Sequence, residues 1–459
     1  MEIQQIYFVG AGGIGMANLV RYFLAKGCEV GGYDRTRTTL TEELTEEGVE
    51  LTYVDSVDNI PTKFRNKETT LVVYTPAVSE SNHILSYFRQ EGFEVVKRAV
   101  LLGKITRETK GLCIAGSHGK TTTSSMLAHI MHQSEIGCNA FLGGILRNYN
   151  SNLILSDHSP YSIIEADEYD RSFHHLLPYY AVVTSTDADH LDIYGTEENY
   201  LESFSHFTSL IRPRGVLIVH TGLKFQPRVD QTVEVLTYSG GRDGDFHSEN
   251  IRYDDGHLYF DFVAPNGRIN NIDLGVPVEI NIDNAIAAIA VAWKLGVSED
   301  KIRESMHTFL GAKRRFEIWL DSKKGEGSVL IDDYAHSPNE VKASIESVKK
   351  LYNGRKLSVV FQPHLYTRTR DFADEFATSL SGADEVILCE IYPAREEPIE
   401  GVSSDIIYKQ LRCAEKTMCE RKDLLDLIKN RNFEILMTLG ASDINVLLPS
   451  IKEILSRKI

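Results

Sequence analysis

The sequence has little of what marks secreted, membrane-spanning or nucleic-acid-binding proteins. Its six cysteines form no C-x-x-C pair, so we expect neither a zinc site nor a disulfide framework, as in a reducing cytoplasm. No run of about 18 consecutive apolar residues occurs, and the start is neither basic nor followed by a long apolar region, so we expect no membrane span and no signal peptide. Lys and Arg number 49 against 65 Asp and Glu, a net charge of −16 that argues against general nucleic-acid binding.

What is present is a long chain of ordinary globular composition. With 459 residues, of which 42% are hydrophobic, it is too long for one core, and about two to four domains are expected. Strand-like and helix-like segments alternate, which is typical of an α/β fold with mostly parallel sheets. We predict domains at 1–107, 108–311 and 312–459, the last of them doubly wound. Alternating strands with glycine turns over 223–280, including RVDQTVEVLTYS and HLYFDFVAP, predict an antiparallel β insert.

One stretch predicts a phosphate-binding loop. The apolar run 112–115 is typical of a buried strand, a glycine loop follows it, and a helical pattern begins directly after the loop. Glycines let backbone N–H groups approach phosphate oxygens, Lys120 adds a positive charge, and a threonine hydroxyl can bind Mg²⁺. The spacing between the glycines is shorter than usual, so the alternative is a glycine turn with a chance lysine. The predicted loop consists of Gly116, Ser117, His118, Gly119, Lys120, Thr121 and Thr122.

A second glycine motif follows the first predicted strand. Gly10, Gly12 and Gly15 match G-x-G-x-x-G, and Asp34 ends the next strand about 20 residues later. Taken alone, this fingerprint favours a nicotinamide dinucleotide. The fingerprint itself specifies only two features: a helix N-terminus that accepts a diphosphate and a carboxylate that binds hydroxyls. A nucleotide-sugar diphosphate would suit both features equally well. A purely structural glycine turn is the remaining alternative.

Acidic residues follow two further strands of the second region. Glu165 ends an apolar run and opens the cluster 165–170, while His190 lies among carboxylates in the segment 187–192. Because the carboxyl ends of parallel strands meet at one sheet edge, Glu165 can face the phosphate loop and bind Mg²⁺, and His190 can ligate or orient a metal. The alternatives are a solvated acidic loop and a structural histidine.

Groups suited to a nucleotide lie near the predicted domain joints. A base, a ribose and phosphates call for an amide, a carboxylate, a stacking ring and a cation. Asn284 opens a helix, the arginine pair 314–315 follows Gly311, and the run DDYAH at 332–336 follows a strand. Each of these is weak alone, and the arginine pair has surface charge as its alternative.

A last group, the segment 364–371, follows another strand of the third region. It contains His364, Arg368 and Arg370. Arginine forks bind carboxylates through two parallel hydrogen bonds. The segment therefore suggests a site for an anionic or amino-acid substrate.

Together these motifs resemble those of the Mur ligase family of peptidoglycan synthesis. The family's order and rough spacing are kept by GAGGIGM, GSHGKTTT, EADEYD, DADHLD, GAKRRFE, DDYAH-x-P and QPH-x-YTRTRDF. The resemblance spans nearly the whole chain, and the combination is far more specific than any single motif. The last motif, with IYPAREEP behind it, indicates the branch that joins L-alanine to UDP-N-acetylmuramate.

The resemblance implies a fold and a reaction. The fold is α/β with three domains: an N-terminal Rossmann-like UDP-binding domain, a central P-loop ATPase domain and a C-terminal Rossmann-like domain. ATP, with Mg²⁺, phosphorylates the carboxylate of UDP-N-acetylmuramate, the L-alanine amine attacks the acyl phosphate, and phosphate leaves. The chemistry is sound, since a carboxylate is a poor acyl donor until its oxygen becomes a phosphate leaving group. We expect a cytoplasmic enzyme that is a monomer or a weak homodimer.

The resemblance also implies roles for positions of this sequence. Lys120, Glu165, His190, His336 and Arg368 would be catalytic, and Thr121, Glu165 and His190 would ligate metal. Beyond the phosphate loop, the contacts to ATP would be Asn284, Arg315, Asp333 and Tyr334. The UDP-substrate would meet Gly12, Gly13, Ile14, Gly15, Asp34, Thr75, Pro76 and Ala77. The amino acid and the substrate carboxylate would meet His364 and Arg368.

Three departures from the family motifs concern polar contacts. Ser337 stands where a second histidine is usual, Leu365 where an arginine is usual, and Ser185 where an asparagine is usual. Each is expected to lose a polar or cationic contact, which bears on binding of the carboxylate and of alanine. Because the phosphate and metal motifs are intact, a lineage variant with compensating residues is favoured over loss of activity.

Three other functions fit parts of the sequence. A related ligase that reattaches a recycled murein peptide to UDP-muramate would share the nucleotide sites and differ in the amine pocket. A nicotinamide dehydrogenase would use the first glycine motif and Asp34 but would leave the phosphate loop and its acidic partners without a role. A nucleotide-regulated interaction protein would carry out no chemistry.

Overall fold

The structure is a computed structural model that describes residues 3–188, 191–254, 256–323, 326–394 and 396–458. His190 of the predicted metal site lies outside these residues. The chain divides into two compact units, one of Met1–His247, Val263–Gly267 and Asn284–Ser305, the other of Ser248–Phe262, Arg268–Asp283 and Met306–Ile459. The α/β class is confirmed, and the boundaries after residues 107 and 311 stay predictions. Among the described helices, none is long and apolar enough to cross a membrane.

The first unit begins with a five-stranded parallel sheet. Its elements are β1 (Gln5–Val9), α1 (Ile14–Ala25), β2 (Glu29–Tyr33), α2 (Thr39–Glu46), β3 (Glu50–Thr52), β4 (Thr70–Tyr74), α3 (His83–Gln90), β5 (Glu94–Lys97) and α4 (Arg98–Glu108), with 3₁₀ turns at Val57–Asn59 and Thr62–Arg65. Ile6 and Phe8 of β1 join one apolar core, and Tyr7 and Val9 join another. In the order β3-β2-β1-β4-β5 the connections reverse at β1, so a crevice opens after β1, where the first glycine motif lies.

The first unit continues with a seven-stranded sheet. Its elements are β6 (Lys110–Ala115), α5 (Lys120–Gln133), β7 (Asn139–Leu146), β8 (Ser151–Ile154), β9 (Tyr161–Ala166), β10 (Tyr180–Val183), α6 (Leu191–Tyr194), α7 (Glu197–Ser209), β11 (Val216–His220) and β12 (Glu234–Tyr238), with a 3₁₀ segment at Tyr169–His175. The order is β12-β11-β10-β6-β9-β7-β8, parallel except for the antiparallel pair β7 and β8. The connections reverse at β6, so the phosphate loop also opens at a switch point.

One strand of the expected β insert, β12, belongs to the seven-stranded sheet. β12 pairs in parallel with β11, so the antiparallel prediction is wrong for this segment. An alternating pattern indicates that one face of a strand is buried, and an edge strand of a parallel sheet also has one such face. The remaining strands, β13 (His247–Asp254), β14 (His257–Ala264) and β15 (Gly267–Asp273), form a separate three-stranded sheet.

The last sheet lies in the second unit and has six strands. Its elements are β16 (Glu317–Leu320), β17 (Val329–Asp333), α10 (Pro338–Leu351), β18 (Leu357–Phe361), α11 (Tyr366–Asp371), α12 (Ala373–Leu380), β19 (Glu385–Leu388), α13 (Asp405–Tyr408), β20 (Glu415–Met418), α14 (Leu424–Lys429), β21 (Ile435–Leu439) and α15 (Leu448–Ser456), with 3₁₀ turns at Arg421–Asp423 and Ile444–Leu447; α8 (Ile280–Lys294) and α9 (Glu299–Thr308) precede it. The order is β16-β17-β21-β18-β19-β20, with β16 antiparallel. The loops after β17 and β18 therefore flank the end of β21.

Candidate active site

The loop after β6 is a tight turn that requires glycine. Gly116 and Gly119 have φ of 139° and 81°, in the region that side chains disfavour. A Cβ at Gly116 would collide with Thr184 Oγ1, and one at Gly119 would lie 2.5 Å from Asn284 Oδ1. Gly119 caps α5, whose first N–H groups have no acceptor within the helix. The loop predicted to bind phosphate thus has a backbone conformation that requires glycine at both positions and leads directly into a helix N-terminus.

Two residues that follow β10 hold this loop. The His118 N–H donates to Ser185 Oγ at 2.7 Å, and the Ser117 N–H donates to the Ser185 carbonyl at 3.2 Å. The Thr184 hydroxyl lies within hydrogen-bond distance of the carbonyls of Ala115 and His118. Ser185, one of the departures from the family motif, therefore keeps a polar contact with the loop.

Lys120 begins α5, and a buried carboxylate holds its ammonium. Nζ donates to Glu168 Oε1 at 2.9 Å and Oε2 at 2.7 Å, and also to the Gly116 carbonyl. Glu168 is 1% exposed. Burial raises the pKa of its carboxyl, and the charge of Lys120 opposes that rise. The pair places one full negative charge directly beside the residue expected to meet phosphate.

Glu168 is not among the residues that the sequence motifs predict to have a role. It lies within the acidic cluster 165–170, but nothing in that pattern separates it from its neighbours. Its position depends on a turn in which Asp170 and Arg171 adopt φ of 52° and 54°, which non-glycine residues seldom do. The Tyr194 hydroxyl donates to the Glu168 carbonyl and fixes this turn from outside.

Glu165, near the end of β9, is held by three donors. The hydroxyls of Thr121 and Ser124 each donate to it at 3.1 Å, and the Gly143 N–H donates at 2.6 Å. Burial raises the pKa of this carboxyl, and the three donors oppose the rise. A carboxylate beside a hydroxyl offers the hard oxygen ligands that Mg²⁺ prefers, so Thr121 and Glu165 fit the predicted metal. No cluster of three or more His, Cys, Asp or Glu suited to a metal occurs among the described residues.

Asn284, in the second turn of α8, lies against the phosphate loop. Its Oδ1 accepts a hydrogen bond from Thr123 Oγ1 at 3.1 Å and occupies the space beside Gly119. The residue is 7% exposed. The structure therefore brings this predicted ATP contact to the loop.

Asp34, which follows the first glycine motif in sequence, forms a hydrogen bond with that motif. The Gly12 N–H donates to Asp34 Oδ2 at 2.7 Å, so this amide is already engaged. Gly13 caps α1, and the next amides, of Ile14 and Gly15, have no acceptor within the helix. The helix start at 13–15 is therefore better placed to meet a diphosphate than Gly12.

The segment Thr75, Pro76 and Ala77 follows β4, the neighbour of β1, and so lies at the same sheet edge. A Cβ at Gly10 would come within 2.6 Å of Thr75 Cγ2. The Thr75 carbonyl accepts the Val78 N–H at 3.0 Å, and Pro76 and Ala77 at the tip of this turn are exposed. The structure brings all three beside the first glycine motif.

One cavity of about 410 Å³ borders both glycine motifs. Its lining includes Gly13–Gly15 and Thr75 from the first motif, and Lys120 and Glu165 from the phosphate site. Residues that the sequence assigned to two different substrates thus surround one space. Arg98 also lines this cavity, and sequence reasoning missed it because it lies in a helical segment without a motif.

In the second unit, two arginines lie over the ring of Tyr334. The guanidinium carbons of Arg314 and Arg315 are 4.9 and 5.4 Å from the ring centroid. Arg314 donates to the carbonyls of Ser442 at 2.9 Å and Gly440 at 2.6 Å. Its guanidinium is therefore used to hold the segment that follows β21. Arg315 and the ring remain the candidates for contact with a nucleotide.

The two aspartates that end β17 are buried. Asp333 accepts hydrogen bonds from the Ser344 hydroxyl and, at 3.4 Å, from the Phe316 N–H, and burial raises its pKa. Asp332 accepts from Thr438 Oγ1 at 2.6 Å, and burial raises its pKa to about 6. Asp333, predicted to contact ATP, is therefore already engaged within the fold.

His336 lies two residues before the first residue of α10, among polar groups. Its Nδ1 is 3.0 Å from the Tyr334 carbonyl oxygen and 3.4 Å from Glu340 Oε2. Burial lowers the pKa of this imidazole, and Glu340 opposes the change. Ser337 forms a capping box with Glu340, with the Ser337 N–H donating at 3.1 Å. Ser337, where a histidine is usual, thus stabilises the helix.

The predicted amino-acid group is assembled in the same unit. Arg368 Nη1 is 3.5 Å from His364 Nδ1, and the rings of His336 and His364 are 6.5 Å apart. The His364 ring stacks on Tyr392. Leu365, where an arginine is usual, precedes α11 with φ of 71°. The three predicted residues therefore form one cluster.

Comparison with known proteins finds one family along most of the chain. Residues 5–110 match the family described as Mur ligase family, catalytic domain, residues 114–292 match the Mur ligase middle domain, and residues 314–444 match the Mur ligase, glutamate ligase domain. A UDP-N-acetylmuramate–L-alanine ligase of Parabacteroides distasonis is 56% identical over 458 residues, 100% of this chain and 98% of the relative.

Two solved structures share the fold. A UDP-N-acetylmuramate–alanine ligase from Thermotoga maritima matches with a TM-score of 0.80 at 25% identity, over 99% of this chain and 100% of that one. A murein peptide ligase from Psychrobacter arcticus matches with a TM-score of 0.62 at 20% identity, over 98% of each chain, which shows the fold alone. The chain belongs to the Mur ligase family. It has the three-domain α/β architecture of these ligases, as the motifs predicted.

Proposed function

We propose that this protein joins L-alanine to UDP-N-acetylmuramate, with ATP cleaved to ADP and phosphate. The observation that carries the proposal is the cavity bordered by both glycine motifs. If the diphosphate of the substrate lies on Gly13–Gly15, the sugar attached to it lies close to Lys120 and Glu165. A sugar carboxylate can then receive the phosphoryl group of ATP bound at the loop. The full-length likeness to a UDP-N-acetylmuramate–L-alanine ligase supports the same reaction.

The phosphoryl step brings two anions together, so its main requirement is neutralisation of charge. The backbone of Gly116–Thr121 and the ammonium of Lys120 supply positive potential to the phosphates of ATP. Thr121 and Glu165 would hold Mg²⁺, which, when bound, would spread the charge of the phosphate oxygens. The carboxylate oxygen attacks the terminal phosphorus, the bond to ADP breaks, and an acyl phosphate results.

The amide step needs an uncharged amine at the activated carbonyl. We assign this side of the reaction to the cluster of His336, His364 and Arg368. Arg368 would bind a substrate carboxylate through its fork of donors. His336 is suited to act as an uncharged imidazole, because burial lowers its pKa and so favours the neutral form. The amine displaces phosphate and the peptide-like bond forms.

The reaction is tested by ADP release from ATP and Mg²⁺ in the presence of UDP-N-acetylmuramate and L-alanine. We expect release to depend on both substrates, with the ligated product seen by mass spectrometry. Activity only with a murein tripeptide in place of L-alanine would favour the recycling ligase instead. Tight NADH binding without UDP-sugar binding would favour a dehydrogenase. The six cysteines are all free, which agrees with the cytoplasmic location that we also propose.

A further inference from the structure

Glu396 binds the start of the helix that carries Arg368. The Thr367 N–H donates to Glu396 Oε2 at 3.0 Å, and the Thr367 hydroxyl donates to Oε1 at 2.5 Å. Thr367 and Arg368 are the second and third residues of α11. Both oxygens of one carboxylate thus hold the residue directly before the arginine that we assign to a substrate carboxylate.

The helix α11 has little of its own to fix its start. It has six residues, and its N-cap, Leu365, has φ of 71° and a side chain that makes no capping hydrogen bond. The first amides of a helix have no acceptor within it, and isolated helices shorter than about 12 residues are marginal in water. A carboxylate placed there satisfies such amides and stabilises the positive end of the macrodipole. Glu396 therefore replaces the missing side-chain cap from a position 29 residues after Thr367.

Two backbone hydrogen bonds hold the segment of Glu396 beside α11. The Leu365 N–H donates to the Tyr392 carbonyl at 3.0 Å, and the Tyr392 N–H donates to the Pro363 carbonyl at 2.8 Å. Between the two bonded residues of the first segment lies His364, whose ring stacks on that of Tyr392. The carboxylate of Glu396 is therefore presented to α11 by a segment that is itself fixed to the residues before the helix.

The contacts of Glu396 favour its ionised form. The hydrogen bond from the Thr367 hydroxyl lowers the pKa of the Glu396 carboxyl, and the Thr367 N–H and the nearby His364 act in the same direction. A hydrogen bond to a charged acceptor is roughly twice as strong as one to a neutral acceptor. A neutral amide at this position should therefore hold the helix start less firmly than the carboxylate does.

Glu396 lies in IYPAREEP, the motif that indicates the L-alanine branch, and neither glycine motif gives IYPAREEP a role. We propose that Glu396 is a positioning residue for the amide step: it fixes the start of α11 and thereby keeps Arg368 directed at the amino acid. The inference rests on the proposed function for the identity of that amino acid. Arg368 Nη1 lies 3.5 Å from His364 Nδ1, so the arginine reaches back past the fixed helix start. A displacement of about 1 Å in an active site can lower a rate about 100-fold.

The first test measures KM and kcat for L-alanine by ADP release with ATP, Mg²⁺ and UDP-N-acetylmuramate. Glu396→Ala should raise the KM of L-alanine at least about 10-fold, because a displaced arginine loses charge-assisted hydrogen bonds to the amino acid. The KM of ATP should stay within about twofold. Glu396→Gln, which keeps one acceptor, should show a smaller rise. Glu397→Ala changes the exposed neighbour in the same segment and is the matched control, with wild-type values expected.

A double variant separates positioning from a direct contact or a general loss of structure. If Glu396 acts through Arg368, then Glu396→Ala should lower kcat/KM for L-alanine no further in a chain that already carries Arg368→Ala. Additive losses would show that Glu396 acts independently of Arg368 and would overturn the proposal. An equal rise in the KM of ATP and of L-alanine in Glu396→Ala would indicate a general disturbance and would also overturn it.

Hydrogen–deuterium exchange at the start of α11 gives a measurement without turnover. Glu396→Ala should speed exchange of the Thr367 amide at least about 10-fold, because this N–H loses its acceptor. Unchanged exchange would mean that Glu396 does not hold the helix. If the wild type releases no ADP with L-alanine, the proposed function fails, and exchange still tests the contact. If the wild type ligates L-alanine and the KM of Glu396→Ala is unchanged, only the positioning role fails.

Discussion

The ammonium of Lys120 and the buried carboxylate of Glu168 form an ion pair with N–O distances of 2.9 and 2.7 Å. The lysine is the residue expected to meet the transferred phosphoryl group, so its charge is already partly balanced before phosphate arrives. A buried pair of this kind is strongly destabilised when one partner alone is removed. Effects of substitutions at Lys120 therefore combine a catalytic loss with a structural one.

We expect Lys120→Ala to abolish ligation while binding of the UDP-substrate stays largely intact. In the proposed reaction the lysine supplies charge to the phosphoryl group, whereas the diphosphate of the substrate lies at the start of α1. Loss of a preorganised positive group should lower the rate at least about 100-fold. ADP release measures the first effect and calorimetry with UDP measures the second. Comparable losses in both would contradict this division of labour.

The ion pair itself can be tested through stability. Lys120→Met leaves Glu168 buried without its cation and should lower the free energy of unfolding by about 3 kcal/mol. Adding Glu168→Gln to this variant should restore most of that loss, because no uncompensated charge remains. Urea unfolding of the wild type, both single variants and the double variant gives the coupling energy. Additive effects would show that the two side chains do not interact.

The assignment of Glu165 is tested through the metal requirement. Glu165→Gln keeps an oxygen for the Gly143 N–H and removes the negative charge. We expect the Mg²⁺ concentration for half-maximal ADP release to rise at least about 10-fold, as for loss of one charged ligand. Asp170→Asn, in the same acidic segment and partly exposed beside Lys97, is the control. A Mg²⁺ dependence that is unchanged in Glu165→Gln would exclude Glu165 as a ligand.

Because the carboxyl of Asp332 is buried, we expect the free energy of unfolding to depend on pH. The pKa of this carboxyl is raised from 3.8 to about 6 in the fold, because burial disfavours the charged form. The stability that this group contributes is therefore present below about pH 4 and is lost as the pH rises through about 6. Asp332→Asn avoids the loss, so relative to wild type it should gain about 2 kcal/mol between about pH 4 and pH 7. Urea unfolding at both pH values measures the gain.

An exposed aspartate provides the control for that experiment. Asp426 has a side chain that is 78% exposed. Asp426→Asn should show no comparable difference between the two pH values. A gain in Asp332→Asn that is the same at both would mean that the carboxyl titrates normally in the fold.

The fold could be predicted where local patterns determine structure. Each glycine motif stands between a strand and a helix, and the glycines at 116 and 119 are required by their backbone angles. Because the parallel strands are buried on both faces, they occur in the sequence as continuous apolar runs and could be predicted. The same reasoning failed for β12, because alternation along a strand does not show the direction of its neighbour.

The contacts that define the site were harder to predict, because they join segments that are distant in sequence. Glu168 reaches Lys120 through two left-handed residues that no composition rule indicates. Arg98 meets Gly15 only because α4 returns to the crevice after β1. Ser337 was expected to lose a contact, and its capping role depends on Glu340 three residues later. Site chemistry follows from motifs, whereas the residues that position it follow from the tertiary fold.

The hydrogen bonds that join Ser185 and Thr184 to the phosphate loop bear on the rate at which a nucleotide binds. These contacts hold the loop before any ligand binds, so we expect little conformational entropy to be lost when a nucleotide binds there. A loop fixed in this way is expected to bind phosphate with little local rearrangement. Capture of ATP should therefore be fast, and discrimination among nucleotides should rest on how quickly each one leaves.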